Sequence, residues 1–294
     1  MALAATPSIS LDNKLAGSTD GPISEKDWTG LYTITILVVK TKIEAARNAL
    51  PQDLVLDESY GQDGSYPILM SCGSIQNARP RLGGAIGFNY LEVFSAIPGV
   101  RLRNPNGGFP GPFLHPYTGY LNHLIPVALG RAAGIRKYWE RLSVSRKAHL
   151  ITSDGFRVQG LLSGRPLLSG QFSVSTKVEA ATENRRVVSL AKLLPPNLIG
   201  VGLLGKLVQT KFQFFYSLGT AEDVVDASVD IKTNNFIPGI SGPISYASMA
   251  EFQWDPRYLP VRLFVPWRLR EKDGQCGTKA AAVEPAKARA AGAD

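Results

Sequence analysis

Cysteine and histidine are scarce: two and three residues in a chain of 294. Cys72 and Cys276 form neither a disulfide framework nor a zinc spacing, so a reducing compartment is the default. His115, His123 and His149 include no pair at i, i+4 that one helix could present to a metal, so no metal site is expected. A G-x-S-x-G elbow, which would mark one kind of nucleophilic serine, is also missing. No run approaches the roughly 18 uninterrupted apolar residues of a membrane helix. The opening MALAATPSISLDNK has no basic n-region and no clear apolar core, which argues against a secretory signal. A soluble, cytoplasmic protein is expected.

What the chain does have is 44% hydrophobic residues, 29 glycines and 20 prolines. That is enough apolar material for a core, with many turns, and it suits a strand-rich fold more than a helical bundle. The net charge of +8 fits an anionic partner, which includes an acidic small molecule. Arg136, Lys137, Arg141, Arg146 and Lys147, with Tyr138 and Trp139, resemble a single-strand nucleic-acid groove in composition. A solvated basic face is the commoner origin of such a cluster, so neither a nucleic-acid nor a membrane partner is expected.

Residues 1–25 are small and polar and read as a flexible arm. Residues 28–40 alternate as a strand, with Tyr32, Ile34, Ile36 and Val38 on one face. Ile43, Ala46 and Leu50 share one face of a short helix that Pro51 ends. Further strands are expected over 65–75 and 85–97, and the second carries Phe88, Tyr90, Glu92 and Phe94. Glycine and proline then force a loop within 99–116 that could act as a rim or lid. Strands at 147–152 and 156–163 flank Ser153-Asp-Gly155, a hairpin signal, and a turn at Gly164-Arg-Pro leads into 167–178. This is an antiparallel meander rather than a series of βαβ units. Mixed or β-rich segments are expected at 187–194 and 206–218. One domain over 26–270 and a disordered tail over 271–294 complete the expected organisation.

Gly200-Val-Gly-Leu-Leu-Gly205 fits the dinucleotide fingerprint G-x-G-x-x-G. Pro195-Pro196 stands just before it and no βαβ pattern surrounds it, so a flexible turn is the better explanation.

The stretch 117–138 organises the rest. It begins extended and aromatic, passes through a short apolar helix, and ends in a basic corner of Arg131, Arg136 and Lys137 beside Ile135, Tyr138 and Trp139. A lysine beside another cation in apolar company should hold its proton less firmly. A neutral amine can attack a ketone.

Tyr120-Leu-Asn-His-Leu-Ile-Pro-Val-Ala-Leu-Gly-Arg131 resembles the acetoacetate decarboxylase family, in which Tyr-Leu-Asp leads through a short apolar helix to Gly-Arg-Glu. Gly134-Ile-Arg-Lys137 is similar to the family's Gly-aromatic-Pro-Lys, once one residue between Gly130 and Gly134 is skipped. Phe88-Asn-Tyr90-Leu-Glu92 resembles its Tyr-x-Glu segment, and Leu50-Pro51-Gln-Asp-Leu54 its Leu-Pro-x-x-Leu. These pieces keep the family's order. The chain departs from it at Ala132, Arg136 and Tyr138, where the family has Glu, Pro and a second Lys.

The resemblance implies an α+β, mostly antiparallel fold: a cone-like β-barrel with a few flanking helices. It implies that Lys137 forms a Schiff base with a β-keto acid, and that Glu92 is the pocket glutamate. Arg131 would be a structural ion-pair partner. Arg136 could replace the second cation, and Arg136 or Arg131 could hold a substrate carboxylate. No metal or organic cofactor is required. Phe88, Tyr90, Phe94, Phe113, Tyr120, Leu121 and His123 are the expected substrate-binding residues. The apolar character of Phe88, Phe94, Phe113 and Leu121 suits a keto acid larger than acetoacetate, such as a polyketide-derived acid of secondary metabolism. Other readings are a cofactor-free lyase, aldolase-dehydratase or cyclase using the same pocket, and a non-catalytic binder of a small apolar acid. A homo-oligomer is expected.

Overall fold

A computed structural model describes residues 28–80, 87–105, 109–132, 134–146, 153–181, 183–185, 190, 193–195, 197–202, 205–214, 220–233, 235 and 261–275. The arm expected over 1–25 lies outside them.

The chain opens with β1 (Trp28–Lys42), a short helix α1 (Ile43–Asn48) and β2 (Leu54–Leu56). Two long strands follow, β3 (Ser65–Pro80) and β4 (Phe88–Leu102), then β5 (Phe113–Leu121). Helix α2 (Leu124–Ala132) and the three-residue β6 (Lys137–Trp139) come next. Strands β7 (Arg141–Arg146), β8 (Ser153–Gln159) and β9 (Pro166–Ala180) form a meander. The rest is β10 (Asn197–Val201), β11 (Leu207–Phe214), β12 (Thr220–Ile231) and β13 (Val261–Gln275).

All of these strands belong to one sheet, ordered β1-β3-β4-β5-β10-β11-β13-β12-β9-β8-β7, with β2 on β4 and β6 on β5. β1 pairs with β13 as well as with β3. Every pairing is antiparallel except β5 with β6 and β5 with β10. The architecture is therefore mostly antiparallel β with few helices. None of the described helices is long and apolar enough to cross a membrane.

Three apolar clusters form the core. One joins Tyr32, Ile34, Ile36, Tyr90, Leu114, Leu121, Val127 and Leu198. A second lies under the meander, around Leu37, Val93, Tyr120, Phe156, Phe172 and Val229. The third collects Tyr66, Ile68, Ile97, Phe113 and Ile199. β1 and β4 are covered on both faces, so alternate residues of each feed different clusters.

The structure moves several expected boundaries. Ser153, Asp154 and Gly155 lie inside β8 rather than in a turn, with Arg146 paired to Ser153 and Ser145 to Gly155. The 147–152 segment lies outside the described residues. β13 runs to Gln275, past the boundary expected at 271, because pairing with β11 carries it that far. The fingerprint-like glycines form a hairpin between β10 and β11: Gly202 N–H donates to Lys206 O, and Gly205 adopts φ 72°. Of the 187–194 segment the structure describes Leu190, Leu193 and Leu194: Leu190 and Leu193 are buried, and Leu193 N–H donates to Leu190 O.

Candidate active site

Glu92 reaches the interior because of its place in β4. Tyr90, Glu92 and Phe94 sit at alternate positions, and all three line one cavity of about 230 Å³. β1 contributes Tyr32, Ile34 and Ile36 by the same alternation, and β3 contributes Leu69 and Ser71. Leu198 of β10 and Thr210 and Phe212 of β11 form another part of the wall. α2 closes part of it with Pro126, Leu129 and Gly130.

Lys137 is delivered by the end of α2. Gly134 adopts φ 79° and donates N–H to Arg131 O, while Ile135 N–H reaches Gly130 O. These two bonds are a Schellman cap, which needs a left-handed residue where glycine stands. The chain then turns into β6, where Lys137 pairs with Gly119 of β5. Arg131 Nε donates to Lys137 O at 2.7 Å, and its guanidinium lies over the Tyr138 ring, 5.8 Å from the centroid. Gly130 lies against the lysine stem: a Cβ there would come within 2.2 Å of Lys137 Cδ.

The Lys137 amine donates to Glu92 Oε2 at 2.7 Å. Both side chains are largely buried, at 12% and 9% exposure. The other carboxylate oxygen, Oε1, accepts from Tyr32 Oη at 3.3 Å. Burial, and then the charge of Glu92, push the Tyr32 phenol well above its ordinary value. The same two causes raise Tyr90. Both phenols therefore keep their protons, and Tyr32 is the one that donates to the carboxylate. Lysine, carboxylate and phenol thus form a hydrogen-bonded line at one point of an otherwise mostly apolar wall.

Of the residues expected from the sequence, Lys137, Glu92, Tyr90, Phe88 and Phe94 are brought together in the cavity. His123 stands behind the wall, stacked on Phe88 with centroids 5.0 Å apart, and its Nδ1 accepts from Ile125 N–H. The remaining five take other places. Arg136 immediately precedes β6, and neighbouring residues of an extended chain face opposite ways, so its guanidinium lies over Tyr117 instead of beside the amine. The partner the structure gives Lys137 is a carboxylate rather than a second cation. Arg131 braces β6 from outside the wall. Tyr120 alternates with Leu121 toward the opposite face of β5 and packs on Tyr138, with its hydroxyl at Thr233. Leu121 is core without lining the cavity, and Phe113 belongs to the third cluster, against Phe109.

Sequence reasoning did not single out Tyr32, Ser71, Gly130, Leu198, Thr210 or Phe212 as site residues. The alternation of β1 was visible, but nothing in it marked which face meets a cavity. Ser71 and Thr210 carry no motif. Gly130 could have been found, since a glycine late in an apolar helix often marks a close approach.

No family model matches the chain, and no curated protein matches it in sequence. Solved structures do. An acetoacetate decarboxylase-like enzyme from Sphingomonas wittichii RW1 superposes with a TM-score of 0.55 at 13% identity, over 85% of this chain and 92% of that one. The chain has the acetoacetate decarboxylase-like fold. Acetoacetate decarboxylase from Legionella pneumophila subsp. pneumophila str. Philadelphia 1 gives 0.51 at 11% identity, over 92% and 96%. The enduracididine biosynthesis enzyme MppR, complexed with the condensation product of pyruvate and imidazole 4-carboxaldehyde, gives 0.52 at 10%, over 87% and 91%. This chain is a divergent bearer of the acetoacetate decarboxylase-like fold.

Proposed function

We propose that the protein is a cofactor-independent decarboxylase of a β-keto acid, working through a Schiff base on Lys137. The observation that carries this reading is the Lys137–Glu92 pair inside the cavity. The pairing of β1 with β13 supports the cone-like barrel as the frame around it.

The chemistry starts with a proton leaving the amine, and Glu92 is the base in position to take it. The free amine adds to the ketone carbon of the substrate. Glu92 returns the proton to the carbinolamine oxygen, water leaves, and an iminium remains. The bond between the α-carbon and the carboxylate then breaks, and its electron pair flows into the iminium. Carbon dioxide departs and an enamine is left. Protonation of the enamine carbon and hydrolysis give back the ketone and the lysine. Apolar walls from Ile34, Ile36, Leu69, Phe94 and Leu198 favour the step that discharges the carboxylate. They also suit a bulky acid, including a polyketide-derived one.

A second reading rests on the likeness to MppR with its condensation product. The same amine could form an imine and pass it to an aldol-type or dehydrating step without loss of carbon dioxide. Neither Arg131 nor Arg136 lines the cavity to hold a carboxylate, which favours keeping this reading.

Incubation with β-keto acids and borohydride tests the shared step, and carbon dioxide release separates the two. A mass increase on the peptide containing Lys137 with carbon dioxide evolved supports the decarboxylase. The same adduct without carbon dioxide supports the second reading. No adduct with any ketone defeats both and leaves a binder of small apolar acids.

A further inference from the structure

Two hydroxyls in the cavity wall have no hydrogen-bond partner among the described residues: Ser71 Oγ and Thr210 Oγ1. Both residues line the cavity, at 3% and 1% exposure. A buried hydroxyl without a partner is costly, and replacing it by an apolar group of the same shape removes that cost. Alanine and valine would fill these positions with no loss to the core. Their neighbours on the wall, Ile36, Leu69, Leu198 and Phe212, are apolar.

Neither hydroxyl is hydrogen-bonded to the Lys137–Glu92 pair. Ser71 pairs with Phe94, Phe94 with Gly119, and Gly119 with Lys137. That puts the Lys137 backbone three strand spacings from Ser71, about 14 Å along the sheet, while the lysine amine crosses to Glu92, which pairs with Gly73, two residues from Ser71. Thr210 pairs with Leu198, which meets β5 at Leu114. Leu114 is five residues, or about 17 Å of strand, from Gly119. β3 and β11 are not neighbours in the sheet, so the two hydroxyls belong to different walls.

We propose that Ser71 and Thr210 hydrogen-bond to the ligand from two different walls of the cavity. The natural substrate then carries hydrogen-bonding oxygen functions, hydroxyl or carbonyl, on its apolar body besides the carbonyl that meets Lys137. This rests on the reading that the cavity is the substrate site. It narrows the substrate class from apolar keto acids to oxygenated ones, and it makes Ser71 and Thr210 specificity-determining residues.

The test uses non-acidic ketones, 4-phenylbutan-2-one and its ring-hydroxylated forms at the 2-, 3-, 4- and 3,4-positions, with dissociation constants measured by calorimetry on the full chain. At least one hydroxylated ketone is expected to bind about 3- to 10-fold more tightly than the parent, the value of one or more hydrogen bonds. Ser71→Ala or Thr210→Val should erase that preference while leaving the parent ketone's affinity unchanged or slightly improved. The same series in Lys137→Met separates this inference from imine chemistry. A preference that persists there, with no borohydride adduct in the native protein, upholds the oxygen-reading role and defeats the Schiff base. An adduct with no preference for any hydroxylated ketone does the reverse. A variant that fails to fold leaves the native series to decide. Equal affinity across that series, or a preference that neither substitution changes, means that water alone satisfies these hydroxyls and overturns the proposal.

Discussion

Lys137 Nζ and Glu92 Oε2 lie 2.7 Å apart although 45 positions separate them in the chain. Three pieces of local structure produce this contact. Alternation along β4 turns Glu92 inward with Tyr90 and Phe94. A glycine cap ends α2 and redirects the chain into β6. Gly130 leaves room for the lysine stem on its way to the cavity. The result is an ion pair in a mostly apolar wall, a costly arrangement for folding and a useful one for moving protons.

That cost is measurable. Lys137→Met leaves the Glu92 carboxylate without its cation and should destabilise the fold by about 3 kcal/mol. Lys137→Met combined with Glu92→Leu should recover most of that loss or exceed the native stability, because both charges are then gone. Urea unfolding of the native, single and double variants checks the sign. Equal stability of the single variant and the native protein would show that the pair is open to water.

Gly130→Ala should abolish reaction at Lys137 while leaving the domain folded. The added methyl overlaps the lysine stem from Cγ to Cε, so the side chain must leave its path to Glu92. A fall of at least about 100-fold in adduct formation is expected from so small a displacement. The circular dichroism spectrum should be unchanged. Native rates in this variant would mean that the amine reaches its substrate by another route.

His115 gives the fold a pH dependence separate from the site. Burial holds the imidazole down at about 4, and the nearby Arg136 charge adds to this, against the bond that Nδ1–H donates to Ile199 O at 2.8 Å. Below about pH 6.5 the unfolded chain takes up a proton that the folded chain refuses. Stability attributable to this group is therefore intact above pH 6.5, falls as pH drops toward 4, and changes little below that. The full effect is about 3 kcal/mol. His115→Gln should remove this part of the slope, seen as the difference between the two proteins' unfolding free energies across pH 7 to 4. Parallel curves would contradict it.

Much of this was legible in the sequence where local pattern and pairing agree. The strands β1, β3 and β4 and the helix ended before Pro51 follow from alternation and punctuation, whereas the pattern around Glu92 fitted a solvent-facing carboxylate as well, and only the family resemblance pointed it into a pocket. The turn expected at Asp154–Gly155 was misplaced because turn chemistry marks a reversal only where the strands leave one, and pairing with Arg146 and Ser145 holds Ser153 and Gly155 inside β8. Tyr120 and Phe113 are aromatic and near the site in sequence, yet both-face burial of β5 sends them elsewhere. Arg136 was expected to stand in for a second cation, but the parity of an extended chain puts consecutive residues on opposite sides. Ser71 and Thr210 were invisible because a lone hydroxyl acquires meaning only when the surrounding wall is known to lack a partner for it.

The most direct measurement is borohydride trapping on the native protein beside Glu92→Gln and Lys137→Met, followed by peptide mass analysis. With a ketone or β-keto acid present, the account predicts a reduced adduct on Lys137 alone. Lys137→Met should give none, and Glu92→Gln should form it about 100-fold or more slowly, the usual loss of a proton-transfer group. An adduct on other lysines, or none on the native protein across the panel, would contradict the imine.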